Sequence, residues 1–167
     1  MKRLVNNKSG QQTMGMPFGM IFAIFLIVVF VVIAFIAVGF FLDIGRTSSV
    51  GLFYKELQEA VNGAWSGQSS EFSFDIDLPD GIDEVCFGNL SGVITNKDSR
   101  YDEILNYDVY DANTFLVPPE NAENMQWKLI EHIDVAKITE KKNPYCVPAD
   151  GKLRIKKGFY DKLVLIE

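Results

Sequence analysis

The sequence predicts an α+β protein in which a long N-terminal helix, first transmembrane and then amphipathic, is followed by an antiparallel β-rich head domain. Three observations carry that prediction. Residues 9–42 form 34 consecutive uncharged positions, almost all apolar from Met16 onward. After Asp43 the apolar residues recur at intervals of three and four as far as Trp65. Beyond residue 70 the pattern changes to short extended runs punctuated by Gly, Pro, Asn and Asp. Charge divides the chain in the same way. Lys2, Arg3 and Lys8 precede the apolar run with no acid among them, whereas residues 43–167 hold all 22 acidic residues against 13 basic ones, a net charge of -9. The expected organisation is a basic cytoplasmic leader at 1–16, a transmembrane helix at 17–42, an amphipathic helix at 43–65 and an exterior β-rich domain at 66–167 that folds by itself.

As a helix, Pro17 to Leu42 would extend about 39 Å, enough to cross a hydrocarbon core of about 30 Å with some tilt. The apolar core of a removable secretory signal is only about 7–15 residues and precedes a small-residue cleavage site. Here the run ends in Gly39-Phe40-Phe41-Leu42-Asp43, so the segment reads as a retained anchor in the lipid bilayer. The basic flank places the N-terminus in the cytoplasm and residues 43–167 outside the cell membrane. Pro17 fits the first helical turn, where a missing N–H costs no hydrogen bond. Gly15, Gly19 and Ala23 recur every four residues, the spacing of small residues that lets two membrane helices pack and the candidate face for self-association. Phe18, Phe22 and Phe25 form a stripe expected to face lipid.

In the amphipathic segment Val50, Phe53, Tyr54, Leu57, Val61, Ala64 and Trp65 mark one face, with Lys55, Glu56, Gln58, Glu59 and Asn62 between them. Gly45, Gly51 and Gly63 each weaken an isolated helix by up to about 1 kcal/mol relative to Ala, so its stability must come from packing. Residues 66–70 are a polar linker. Phe72, Phe74, Ile76 and Leu78 then alternate with polar residues, Pro79-Asp80-Gly81 has turn chemistry, and Val85-Cys86-Phe87 is expected to return as the second strand of a hairpin. Gly92 to Thr95 adds a short strand, and Tyr101 to Leu105 one helical turn. Tyr107 to Val117 is extended until Pro118-Pro119 stops it. Trp127 to Ile138 fits strand and helix periods alike. Lys152 to Lys156 reads as an edge strand with a charged outer face, and Leu163 to Ile166 as a closing strand.

Two cysteines, Cys86 and Cys146, lie on the exterior side and predict a disulfide, two buried thiols being the other reading. His132 is the only histidine, which excludes His-pair metal sites; strand alternation would turn it away from its neighbour Glu131, so an ordinary surface histidine is expected rather than a catalytic one. Asp75, Asp77, Asp80, Asp83 and Glu84 are dense, but their spacing fails the calcium-loop pattern and alternation puts Asp75 and Asp77 on a solvated face. Neither a phosphate loop nor a nucleophile elbow occurs, and no metal or other cofactor is expected. The acidic balance argues against nucleic acid, while seven basic residues within 141–162 are a candidate for docking between heads. Asn89-Leu90-Ser91 is an N-glycosylation sequon on the exterior side; Asn7-Lys8-Ser9 would lie in the cytoplasm.

The leader ending Lys8-Ser9-Gly10, then Gln11-Gln12, then an apolar helix running into an amphipathic one and a β-rich head, is similar to archaeal type IV pilin-like proteins with a class III signal. That resemblance implies a membrane peptidase cutting between Gly10 and Gln11 and a stem that becomes a filament core. It departs from the pilin pattern in two ways: the fifth residue after the cut is Gly15 where pilins usually carry glutamate, and Ser9 separates Lys8 from Gly10. The stem, amphipathic helix and Leu78-Pro79-Asp80-Gly81 to Phe87 segment also look like uncharacterised single-pass membrane proteins of small-genome archaea, a likeness that implies location only. The expected function is a single-pass surface protein without enzymatic activity, a pilin-like or other assembly subunit. The alternative is a monomeric tethered binding module or an accessory subunit of an envelope complex.

Overall fold

The computed structural model describes residues 15–91, 96–122 and 124–167, with the backbone alone described for 15–17 and 43. The proposed cut at Gly10 and Gln11 and the expected strand at Gly92 to Thr95 lie outside the described residues. The chain divides into two compact units, Met1–Asp43 and Ile44–Glu167. The first helix, α1 (Gly15–Ser66), contributes to both and has Pro17 in its first turn. In the first unit the side chains from Phe18 to Leu42 are exposed or half-buried on every side of the helix. No polar face interrupts them, and the helix is long and apolar enough to cross a membrane.

In the second unit α1 behaves as its periodicity expects. Val50, Phe53, Tyr54, Leu57, Val61 and Ala64 are buried, and Lys55, Glu56, Glu59 and Asn62 are exposed. Polar contacts fix the helix at its borders. The Tyr54 hydroxyl donates to the Met125 carbonyl at 3.2 Å, and the Gln58 side chain exchanges hydrogen bonds with the backbone of Glu131, accepting from its N–H at 2.8 Å. Burial pushes the Tyr54 hydroxyl pKa up. At the C-terminus the Lys157 ammonium donates to the carbonyls of Trp65 and Gly67 at 2.7 and 2.8 Å. A cation thereby meets the carbonyls that a helix end leaves unpaired.

The rest of this unit is two antiparallel sheets. One has the order β1-β6-β7, from β1 (Ser70–Asp75), β6 (Lys152–Lys157) and β7 (Leu165–Ile166). The other has the order β4-β3-β2-β5, from β2 (Glu84–Phe87), β3 (Thr114–Val117), β4 (Trp127–Lys128) and β5 (Tyr145–Pro148). Short helices α2 (Tyr101–Ile104) and α3 (Val135–Ile138) lie in the connections. Two expectations are corrected by this topology.

The expected hairpin between Phe72 and Phe87 does not form, because β1 and β2 belong to different sheets. The turn chemistry is present, with Gly81 at φ +96° and Ile82 N–H donating to the Pro79 carbonyl at 3.4 Å. It reverses the chain without pairing the flanking strands. Pairing is decided instead by β6, which matches β1 over six residues from Ser70↔Lys157 to Asp75↔Lys152. Phe72 and Phe74 there oppose Ile155 and Leu153, while Glu71 ion-pairs with Arg154, and Asp75 with Lys152 at 2.7 Å. The second correction concerns Lys152 to Lys156, expected at an edge. This strand is the centre of its sheet, and its charged outer face meets acids of β1 rather than solvent alone.

β3 and the middle of β2 are covered on both faces. Val85, Phe87 and Leu116 enter the main core with Phe53, Leu57, Val61, Leu153 and Ile155. The alternating residues Cys86, Phe115 and Val117 enter a smaller core with Ile104. Covering a strand on both faces removes the polar alternation, which is why Thr114–Val117 is a continuous buried run. Tyr107 belongs to a 3-10 turn at Leu105–Tyr107 rather than to the expected extended segment. The ambiguous stretch Trp127 to Ile138 resolves into both elements, β4 and then α3. Asp134 caps α3, its carboxylate accepting from Lys137 N–H at 3.1 Å.

Candidate functional site

On the stem, Gly19 and Ala23 are exposed, and a methyl group added at Gly19 would meet no atom within 4 Å. The candidate packing face of Gly15, Gly19 and Ala23 is therefore left open by the described residues at its two described side-chain positions. Phe18, Phe22 and Phe25 are exposed beside it.

In the head, Cys86 on β2 and Cys146 on β5 oppose each other in register and are joined as a disulfide across 60 residues. The bond sits in the smaller core beside Phe115, Ile104 and Trp127. Glu84 brings a carboxylate oxygen within 4.8 Å of both sulfurs, the only grouping of metal-ligating side chains among the described residues. Oxidation leaves neither sulfur a thiolate donor, and the carboxylate accepts instead from Arg100 at 2.7 Å. Arg100 also donates to Glu103 at 2.9 Å, and that hydrogen bond, more than the neighbouring Glu84 charge, raises its pKa.

His132 departs from expectation. Glu131 and His132 lie outside any strand, His132 has φ +68°, and its Nε2 stands 3.9 Å from a Glu131 carboxylate oxygen. Alternation does not apply to a left-handed backbone position, so the two neighbours meet after all. The imidazole also lies flat on Trp65, ring centres 3.8 Å apart and planes within 4°. This contact uses Trp65, which is 42% exposed rather than in the core. The histidine acts as a cover for the indole and lends its carbonyl to Val164 N–H at 2.8 Å.

Asp75, Asp77, Asp80 and Asp83 are exposed, and the Asp75 carboxylate is engaged by Lys152. Three of the seven basic residues of 141–162 pair with acids of the head, Lys142 with Asp98 at 3.1 Å, Lys152 with Asp75 and Arg154 with Glu71, while Lys157 caps α1.

No family model, curated protein or solved structure matches this chain.

Buried asparagines are the residues that sequence analysis missed. Asn113 uses its side-chain amide as a backbone substitute, accepting from Ile130 N–H and donating to Ile130 C=O, both at 2.9 Å. Asn143, 1% exposed, does the same for Asn89, accepting from its N–H at 3.0 Å and donating to its C=O at 2.7 Å. Asn113 falls in the stretch expected to be extended and Asn143 just before Pro144, and their partners lie 17 and 54 residues away, so no local signal reveals either role.

Proposed function

We propose that the protein is a single-pass, membrane-anchored surface protein with its N-terminus in the cytoplasm and residues 43–167 outside, acting as a pilin-like or other assembly subunit without enzymatic activity. One observation carries the anchoring: from Phe18 to Leu42 the helix is apolar on every side, and every described side chain there is exposed or half-buried. Such a surface is stable in lipid or against other helices, not in water. The disulfide in the head agrees with an oxidising exterior. Assembly is favoured by the uncovered small face at Gly19 and Ala23, where a second helix can approach closely. The stem would pack laterally, and the head would make the contacts with neighbours.

Gly15 at the fifth position after the proposed cut favours the second reading, a monomeric tethered module, since it supplies no carboxylate to pair with a neighbour's new amine. Gly19→Leu separates the two. An assembly subunit should lose self-association with its head still folded, read by cross-linking and native sizing in mild detergent. A tethered module should be unaffected, because lipid does not discriminate Gly from Leu by close packing. N-terminal sequencing of the same material reads the cut: a mature chain beginning at Gln11 supports the pilin-like reading, and an intact leader opposes it.

A further inference from the structure

We propose that Asn89 carries an N-linked sugar and that the groove beside it seats the first sugar ring; this rests on the exterior placement of the head. Three features of the folded site support it. First, Asn143 holds the Asn89 backbone through both its N–H and its C=O, which fixes the position while the Asn89 side chain stays at the surface, half-buried. Second, the carboxamide is oriented by the third residue of its own sequon. Its Oδ1 accepts from Ser91 N–H at 3.0 Å and from the Ser91 hydroxyl at 2.7 Å. A carbonyl bonded twice withdraws electrons from its nitrogen, making an Nδ2 proton easier to lose. Among the described residues, no acceptor takes a hydrogen bond from Nδ2. Third, Asn89 opens onto a groove of about 470 Å³ whose lining includes Asp108, Val109, Tyr110 and Leu129. Tyr110 is 48% exposed and is held flat on Trp127, ring centres 4.5 Å apart and planes 19° from parallel.

A sugar ring has one apolar C–H face and a rim of hydroxyls. Tyr110 and Val109 suit the first, and the Asp108 carboxylate suits the second. Attachment requires a sugar carried on a lipid phosphate or diphosphate and a transferase outside the membrane. The bond from Nδ2 to the sugar C1 forms, the C1–O bond to the lipid phosphate breaks, and the phosphate leaves with that electron pair. Nδ2 gives up one proton, taken by a carboxylate of the transferase or by the departing phosphate, and keeps the other; nothing is oxidised or reduced.

The test uses the full chain in a host that exports membrane proteins and glycosylates Asn-x-Ser/Thr sequons, with glycopeptide mass spectrometry as readout. Sugar on Asn89 in the wild type, lost in Asn89→Gln and in Ser91→Ala, is the expected result. Gln68→Asn completes a second sequon with Ser69 and Ser70, positions 68 and 69 being exposed after α1 and Ser70 half-buried at the start of β1, and reports placement independently. Sugar at position 68 with a bare Asn89 overturns the proposal and leaves the exterior reading standing. Two bare sites overturn both. For the groove, an amidase that cleaves the sugar from the folded protein should act about two- to tenfold faster on Tyr110→Ala, with Tyr110→Phe as slow as wild type. Equal rates in all three overturn the seat.

Discussion

Gly88 follows β2 where the chain turns past the smaller core, and a Cβ there would stand 2.8 Å from Ile104 Cδ1, 3.3 Å from Phe115 Cε2 and 3.5 Å from Pro144 Cβ. Two of these neighbours are fully buried and cannot swing away. Gly88→Ala should therefore destabilise the head by about 1–3 kcal/mol, measured by denaturant unfolding. The disulfide lies in the same core. Cys86→Ser and Cys146→Ser should each cost about 2–5 kcal/mol, because either one opens the same 60-residue loop. A much larger loss for Cys86→Ser alone would show that burying a hydroxyl at this fully buried position outweighs the cross-link. Acid should weaken the head through its paired surface carboxylates. The Arg154 guanidinium hydrogen-bonded to Glu71 holds that carboxyl below its usual range, and the Gly158 N–H followed by Lys137 does so for Asp161. A depressed folded pKa gives stability that is present above the ordinary carboxylate range and lost as pH falls through the folded value. Melting temperatures should drop below about pH 4, and Arg154→Ala should flatten the decline slightly, since both partners are solvent-exposed.

Element boundaries decide which fragments fold. The amphipathic half of α1 is expected to need packing and the domain at 66–167 to fold without it; Val50, Phe53, Leu57, Val61 and Ala64 are each at most 2% exposed in the main core. Removing them would bare the inner faces of β1, β2 and β6. A fragment of residues 44–167 should therefore unfold cooperatively, whereas 66–167 should lack a melting transition and bind a hydrophobic dye; a sharp transition in the shorter fragment would contradict this. Within the full chain, Leu57→Ala should cost about 2–5 kcal/mol, a loss out of reach for a helix that only links stem to head.

For the molecule as a whole, the contrast between its two units sets the main prediction. One exposes a continuous apolar surface, and the other closes a core with a disulfide. Protease added outside intact cells should degrade the head while sparing a tag at the N-terminus. A protected head would reverse the orientation and remove the premise of the Asn89 modification.

The sequence by itself determined the apolar stem, the buried face of α1, the turn at Pro79-Asp80-Gly81 and the extended character of most strands, because each is a periodicity or a backbone preference held within a few neighbouring residues. It also pointed to the Cys86–Cys146 bond, through the even number of cysteines and the exterior side on which the basic flank is expected to place them. Tertiary structure decided the partners. Nothing local distinguishes β6 from β2 as the mate of β1, since both are short strands that can follow a turn. The choice rests on six paired residues, two apolar cross-strand contacts and two ion pairs that exist only once distant segments meet. The Glu131–His132 contact and the grip of Asn143 on Asn89 have the same origin. A positive φ and a buried side-chain amide are conformations that the surrounding fold imposes, and they leave no periodic trace in the chain.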